Sequence, residues 1–523
     1  MRNEMSRRDF CRFLTQSAVF GGVTSSYLSS CTSHGLASSI TYPNLAVSRT
    51  DELKLASGFQ SREFIRWGNR VNLAGESFGF NNDFVAFQPV RANESWMWIN
   101  HESVHAGIVS GDWNFERKKS HVDIEMKNVG GSLLLVRNEG GNWTWTAQDS
   151  NKRLDAFSKI PFSLGTKIRG ASEAQGTLAN CAGGTTSWGT FLSCEENYDT
   201  FSGERRRKKF SRITAVNDFS WHRYYEMPPE HYGWVVEITP NPFSAKKLVS
   251  LGRFAHEGAT VVTAADGRSV VYMGDDAADQ CLYKFVSDKV GSLDSGTLYV
   301  ASLERGEWIP LKKQLNDKLG AFDSDLEILI YTRDAARVVG ASQLDRPEDI
   351  EVHPKTGAVF VALTNNKPRG RPFGSILKIE EERQDFLSLR FRHEVFVMGG
   401  DKSGIACPDN LCFDSRGNLW VTTDMAGYDI GTPLFERFGN NALFVVPTAG
   451  KFSGQAFRIA EAPLDAELTG PCFAPDGKSL FLAVQHPGEQ TRDPNRFTSH
   501  WPDGGNSNPV PAVVEITSEL FSL

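Results

Sequence analysis

Carboxylates recur in this chain at the ends of short apolar runs, where turns do not require them. Glu257, in His256-Glu257-Gly258, opens a pair of such runs that closes on Asp275-Asp276. Arg346-Pro347-Glu348-Asp349 opens a second pair, closing on Asn365-Asn366, and Pro408-Asp409-Asn410 opens a third, closing on Asp424. Further upstream, Cys181-Ala182-Gly183-Gly184 leads through Trp188-Gly189-Thr190 to Cys194-Glu195-Glu196-Asn197. Turn chemistry accounts for Asp266 and Asp476, each followed by Gly, but not for Glu196, Glu257 or Glu348, because Glu has no turn preference. Carboxylates gathered in one place repel each other and resist ionisation unless cations neutralise them. Oxygen donors in this number suit calcium or iron(III) better than zinc.

The runs between the acids must place them. Each is a short apolar strand, a Gly-containing turn and a second apolar strand. A fourth copy begins at Thr469-Gly470-Pro471, turns at Asp476-Gly477 and ends near Gln485-His486-Pro487. Turn glycines 357, 417 and 477 are spaced by about 60 residues. Repeated hairpins at such a period predict the blades of an all-β propeller. The start of strand one and the end of strand two lie at the same end of a hairpin. Radial stacking therefore collects the acids in a ring at one mouth of the central channel. Abundant Gly and Phe, 47 and 35 residues, fit many short strands joined by tight turns.

The remaining signals bound the function. A net charge of −7 argues against a nucleic-acid partner. The eight cysteines contain no CxxC pair, which excludes a zinc ribbon or a thioredoxin-type motif. No GxSxG elbow and no HExxH helix occurs. Gly477-Lys478-Ser479 mimics the end of a P-loop, but Cys472 replaces the required earlier Gly. His101 and His486 are candidate ligands or proton donors, and the basic run Arg205-Arg206-Arg207-Lys208-Lys209 reads as a solvated loop in an insertion. At the N-terminus, Ser6-Arg7-Arg8-Asp9-Phe10 precedes a mild apolar stretch, the pattern of a twin-arginine export signal read by its own machinery. Two endings fit: a lipobox, Leu28-Ser29-Ser30-Cys31, with a lipid on Cys31, or cleavage near Gly35-Leu36-Ala37. Residues 1–37 are therefore assigned to the signal and 38–523 to one propeller domain. The mature protein is expected in the periplasm or outside the cell.

At the same residues the chain resembles the PhoX-type alkaline phosphatases. The similarity lies in Asn180-Cys181-Ala182-Gly183-Gly184, Cys194-Glu195-Glu196-Asn197, His256-Glu257-Gly258, Gly274-Asp275-Asp276, Arg346-Pro347-Glu348-Asp349, Pro408-Asp409-Asn410 and Gln485-His486-Pro487-Gly488. Weaker matches are Phe78-Gly79-Phe80-Asn81-Asn82-Asp83 and Asn100-His101-Glu102. The resemblance implies about six blades with loop and short helical insertions, and hydrolysis of small phosphomonoesters at a cluster of Fe(III) and Ca2+ ions. It implies that Cys181, Glu196, Glu257 and Glu348 surround iron, with Glu257 and Glu348 also catalytic, and that Arg346 meets the phosphate. Glu195, Asp276, Asp409 and Asn410 are the neighbouring candidates for calcium. Ser187 departs from the Pro usual in the family. A thiolate is an unusual ligand for calcium and an acceptable one for ferric iron. On an extended strand Arg346 and Glu348 would share a face. A calcium-dependent propeller lactonase or esterase, and a noncatalytic envelope-binding propeller, are the alternatives.

Overall fold

Alternating apolar side chains, with hairpin turns at Gly267, Gly357, Gly417 and Gly477, give antiparallel sheets that must bury both faces. In the computed structural model, which describes residues 41–207, 213–214 and 219–522, six such sheets form the blades of a propeller. The inner strands, in chain order, are Asn82–Arg91, Asn180–Thr185, His256–Thr263, Pro347–Val352, Pro408–Phe413 and Glu467–Phe473. Each packs against the inner strand of the next blade, and the sixth returns to the first. Their second strands are Glu94–His101, Phe191–Glu195, Ser269–Asp275, Val359–Leu363, Leu419–Thr423 and Ser479–Gln485, all antiparallel.

The core lies between blades. Leu411, Val421 and Phe444 of the fifth blade pack on Phe360, Ala362 and Ile376 of the fourth. Val85, Met97 and Leu134 of the first pack on Phe481, Ala483 and Val513 of the sixth. Each fully buried side chain of this size contributes about 2 kcal/mol. Two N-terminal strands complete the ring. Lys54–Leu55 pairs with the outer strand of blade five, and Phe59–Arg66 forms the outer strand of blade six beside Ala512–Ser518. The beginning of the described chain is thereby stitched to its end.

Short helices interrupt the pattern where expected for insertions. Ala106–Ser110 and Lys119–Met126 lie within blade one, and Asp325–Ile330 and Thr332–Val339 lie between blades three and four. The basic run is not simply solvated: Arg205 pairs with Glu230, and Arg207 pairs with Glu327 and covers the ring of Phe322. Lys208 and Lys209, the twin-arginine segment and Cys31 lie outside the described residues. Among the described residues no helix is long and apolar enough to cross a membrane.

Ile65 is fully buried in the strand that closes blade six. Ile65→Ala is expected to cost about 3 kcal/mol, seen as a lower urea midpoint at unchanged slope. An unchanged midpoint would mean that this strand does not seal the ring.

Candidate metal centre

Five inner strands present their second residue to one mouth of the channel: Asp83, Cys181, Glu257, Glu348 and Asp409. The sixth presents its first, Glu467. Just below, every inner strand carries a β-bulge, with register shifts such as Pro347/Ile350 and Pro408/Leu411. A bulge bends the strand and re-aims its side chains. The residue after each second strand supplies an outer tier: Glu102, Glu196, Asp276, Asp424 and His486. Blade four breaks the series with Thr364, whose hydroxyl donates to the Pro408 carbonyl. Four inner strands are entered through a non-glycine residue in the left-handed region: Asn81, Ala179, Arg346 and Cys407. Such residues cost about 1 kcal/mol or more each, and they persist only where surrounding structure holds them.

Ten carboxylates, one thiol and one guanidinium line the resulting cavity of about 210 Å3. Three groups have donor atoms within 4.8 Å of one another: Asp83, Glu102 and Cys181; Cys181, Glu196 and Glu257; Glu257, Glu348 and Asp409. Cys181 and Glu257 are each shared by two groups, so the three form one chain of donors. Both carboxylate oxygens of Glu257 are buried without a hydrogen-bond partner among the described residues, as are Oε1 of Glu196 and Oδ1 of Asp83. An uncompensated buried carboxylate is costly, and these unpartnered oxygens fit metal ions as their missing partners. Burial pushes Glu257 well above the ordinary carboxylate range, and the charges of Glu348 and Glu196 add to it. Glu196, Glu348 and Asp409 are raised in the same way, and Asp83 is pushed up to about 8 by burial and by Glu102. The Cys181 thiol, 3.5 Å from Asp83 Oδ2, is also raised by burial.

Arg346 is the guanidinium of the mouth. It donates to both oxygens of Asp276 at 2.8 and 2.7 Å, and it lies 2.7 Å from Glu348 and 3.3 Å from Asp424. Arg346 and Glu348 do converge, but not by simple strand alternation, since Arg346 has φ 55°.

Two expectations fail on geometry. Glu195 is not at the mouth. As the last residue of its strand it points to the opposite side from Glu196, where Lys247 Nζ binds it at 2.6 Å and the backbone N–H groups of Gly233 and Trp234 donate to it. Asn410 likewise faces away from the centre: it donates to Asp409 Oδ1 at 3.0 Å and accepts from Gly470 N at 2.8 Å, tying blade five to blade six. Asp349 does the same one blade earlier, accepting from Leu411 N at 3.0 Å. His101 is fully buried against Ser132 and Asn82, away from the cavity, whereas His486 lines it, 3.4 Å from Glu467.

Comparison with known proteins decides the family. The model of the family described as alkaline phosphatase PhoX matches residues 40–488. The chain belongs to the PhoX family. Consistent with this, the structure of Pseudomonas fluorescens PhoX in complex with vanadate, a transition state analogue, superimposes with a TM-score of 0.80. It is 30% identical and covers 92% of this chain and 98% of its own. A protein of unknown function from Dyadobacter fermentans is 12% identical with a TM-score of 0.43, covering 88% and 100%. A Xanthomonas campestris gluconolactonase is 9% identical with a TM-score of 0.34, covering 91% and 99%. Curated protein sequences gave no match. This PhoX chain is thus a phosphatase, an enzyme hydrolysing phosphate esters, on a six-bladed propeller. Asp83, Glu102, Glu467 and Glu489 of its mouth were not assigned to the site from the sequence, and Asp424 was placed in the ring of acids without a ligand role. The position of Asp83 second in its inner strand, and of Asp424 just after a second strand, was the available signal.

Two outcomes follow from this geometry. Glu196→Gln should release metal from folded protein, whereas Glu195→Gln should cost about 3 kcal/mol by stranding buried Lys247 yet leave metal content per folded molecule unchanged. Elemental analysis with urea melts checks both, and equal metal loss in the two variants would return Glu195 to the centre. In chelated protein the raised carboxylates bind more protons folded than unfolded, so stability falls as pH rises from about 4 through their folded values, past about 8 for Asp83. Thermal melts of metal-stripped protein should therefore drop between acidic and mildly alkaline pH. A rise over that window would contradict the charge crowding.

Proposed function

We propose that this phosphatase hydrolyses phosphomonoesters with a mixed iron and calcium centre. Cys181, Glu196 and Glu257 would surround Fe(III); Glu348, expected beside iron from the resemblance, groups with Glu257 and Asp409 as an all-oxygen set and with Asp276 would hold Ca2+. The observation that carries this reading is Glu257, whose buried, unpartnered carboxylate belongs both to a group containing a thiol and to a group of oxygens alone. Thiolate favours iron, and an all-oxygen set favours calcium. Ions bound there would neutralise the nonbridging oxygens of the ester and act on it as Lewis acids.

The chain's own residues do the rest. Arg346 clamps the phosphate with a planar fork that Lys would match poorly. Its carboxylate partners fix that fork before substrate arrives, which lowers the cost of ordering it. His486 donates from Nδ1 to the Asp465 carbonyl and has Nε2 3.4 Å from Glu467 Oε1, which fixes the ring in the cavity wall. The twin-arginine signal supports export to the periplasm or beyond, and a lipid on Cys31 would tether the enzyme to a membrane face.

The purified enzyme is expected to release phosphate from p-nitrophenyl phosphate best at alkaline pH and to contain iron and calcium without stoichiometric zinc. A ferric thiolate gives a visible charge-transfer band. Cys181→Ser should bleach it along with most of the activity, whereas Cys194→Ser, buried within its blade, should keep it. A colourless, fully active preparation would sink the iron–thiolate assignment.

A further inference from the structure

The strand that brings Asp276 to the mouth ends in two acids, and the first of them is bound from outside the mouth. Asp275, the last residue of Ser269–Asp275, is fully buried and sits opposite His256 in the register of blade three, one pair beyond Gly274 and Glu257. It does not line the cavity. Arg333 holds it instead: Nε donates to Oδ2 at 2.9 Å and to Oδ1 at 3.1 Å, and Nη2 donates to Oδ1 as well. Asp276, next in the chain, does line the cavity and accepts from Nε and Nη2 of Arg346 at 2.8 and 2.7 Å. Two guanidinium–carboxylate pairs thus stand on consecutive residues, one outside the cavity wall and one inside it.

The backbone of Arg333 is itself firmly placed. It is the second residue of the helix Thr332–Val339, whose Ala335, Ala336 and Val339 share a buried cluster with Val271, Met273 and Tyr283 of blade three. Thr332 Oγ1 accepts from Arg253 N at 3.1 Å and donates to the Leu329 carbonyl at 2.8 Å, and Arg253 N donates to that carbonyl at 2.8 Å. A Cβ on Gly252 would stand 2.8 Å from Thr332 Oγ1, so the start of the helix fits closely against the chain that enters the inner strand of Glu257. Arg346, by contrast, depends on its partners. Its backbone sits at φ 55°, and its side chain spans carboxylates from three blades, so no one strand fixes its aim. Arg333 is the one ion-pair partner of Asp275 among the described residues. A buried carboxylate stripped of its cation is costly. Without Arg333, Asp275 would turn toward water and carry the strand end, and Asp276 with it, away from the position that sets the Arg346 fork.

We propose that Arg333 is a positioning residue for phosphate binding: by clamping Asp275 it fixes Asp276, and through Asp276 the Arg346 fork, without touching the substrate. The proposal rests on the reading of Arg346 as the phosphate clamp. A bidentate contact demands both distance and angle, so a small displacement of the fork forfeits much of its match to phosphate.

The test is a double-mutant cycle on the metal-loaded enzyme, with Arg333→Gln, Arg346→Gln and the two combined. Calorimetric titration with inorganic phosphate gives Kd without turnover, p-nitrophenyl phosphate gives KM and kcat, and elemental analysis gives metal per folded molecule. Arg333→Gln should weaken Kd for phosphate and raise KM about tenfold, the size of one lost charged contact, with metal content unchanged. In the Arg346→Gln background the same change should add no more than about twofold, because both residues act through one contact. A purely structural role would instead lower the folded fraction and so the apparent kcat, leaving Kd and KM at wild-type values. That result, additive effects of the two changes, or loss of metal from Arg333→Gln would overturn the proposal. If the glutamine variant does not fold, Arg333→Lys, which keeps the charge but not the fork, takes its place in the cycle under the same criteria. Wild-type phosphate affinity in Arg346→Gln alone would overturn the reading of Arg346 itself, an outcome that this single variant tells apart from a failure of Arg333.

Discussion

Mutual repulsion among buried carboxylates is the constraint around which this propeller is organised. Ten of them share a cavity with one guanidinium, and in a low-dielectric setting such groups neutralise themselves or acquire cations. The protein cannot relieve the repulsion by spreading them, because nine of the ten, all but Glu489, are fixed at the ends of strands in a closed ring. Six blades sealed by Phe59–Arg66 resist the expansion that like charges favour. The bulges and the left-handed residues at Asn81, Ala179, Arg346 and Cys407 are held in place by that closure, and they aim the side chains inward.

Strand alternation divides the labour between neighbours. Glu348 faces the centre and Asp349 binds the next blade; Asp409 faces the centre and Asn410 binds the next blade. Glu196 faces the centre and Glu195 is neutralised by Lys247. The centre and the blade contacts that brace it are thus adjacent in sequence. Close approach of the inner strands depends on residues without a side chain. A Cβ on Gly184 would stand 2.1 Å from the Ala259 carbonyl, and one on Gly470, at φ +54°, would stand 2.4 Å from that of Asp83.

Pairing of charge extends beyond the mouth. Arg333 and Arg346 hold consecutive aspartates, Asp275 and Asp276, on the third blade, so the strand end that reaches the cavity is fixed by a guanidinium on each of its last residues.

The sequence by itself determined the all-β repeat, the end of each hairpin at which acids gather, and Glu196, Glu257, Asp276, Glu348 and Asp409 among the residues that meet there, because hydrophobic period and turn chemistry are local properties; Cys181 was named only through the family resemblance. Blade one was harder to read: the hairpin between Asp83 and Glu102 turns at Ala92-Asn93 without the Gly that marks the later blades, and the helices Ala106–Ser110 and Lys119–Met126 separate it from its third strand. Only the tertiary structure decided which member of an adjacent polar pair faces the metal site. Glu195 and Glu196 are chemically identical in the sequence, and their roles separate only when one side of the strand meets Lys247 and the other meets the axis. The same holds for Arg346: its three carboxylate partners come from blades three, four and five. Partners so distant along the chain become neighbours only when the ring closes.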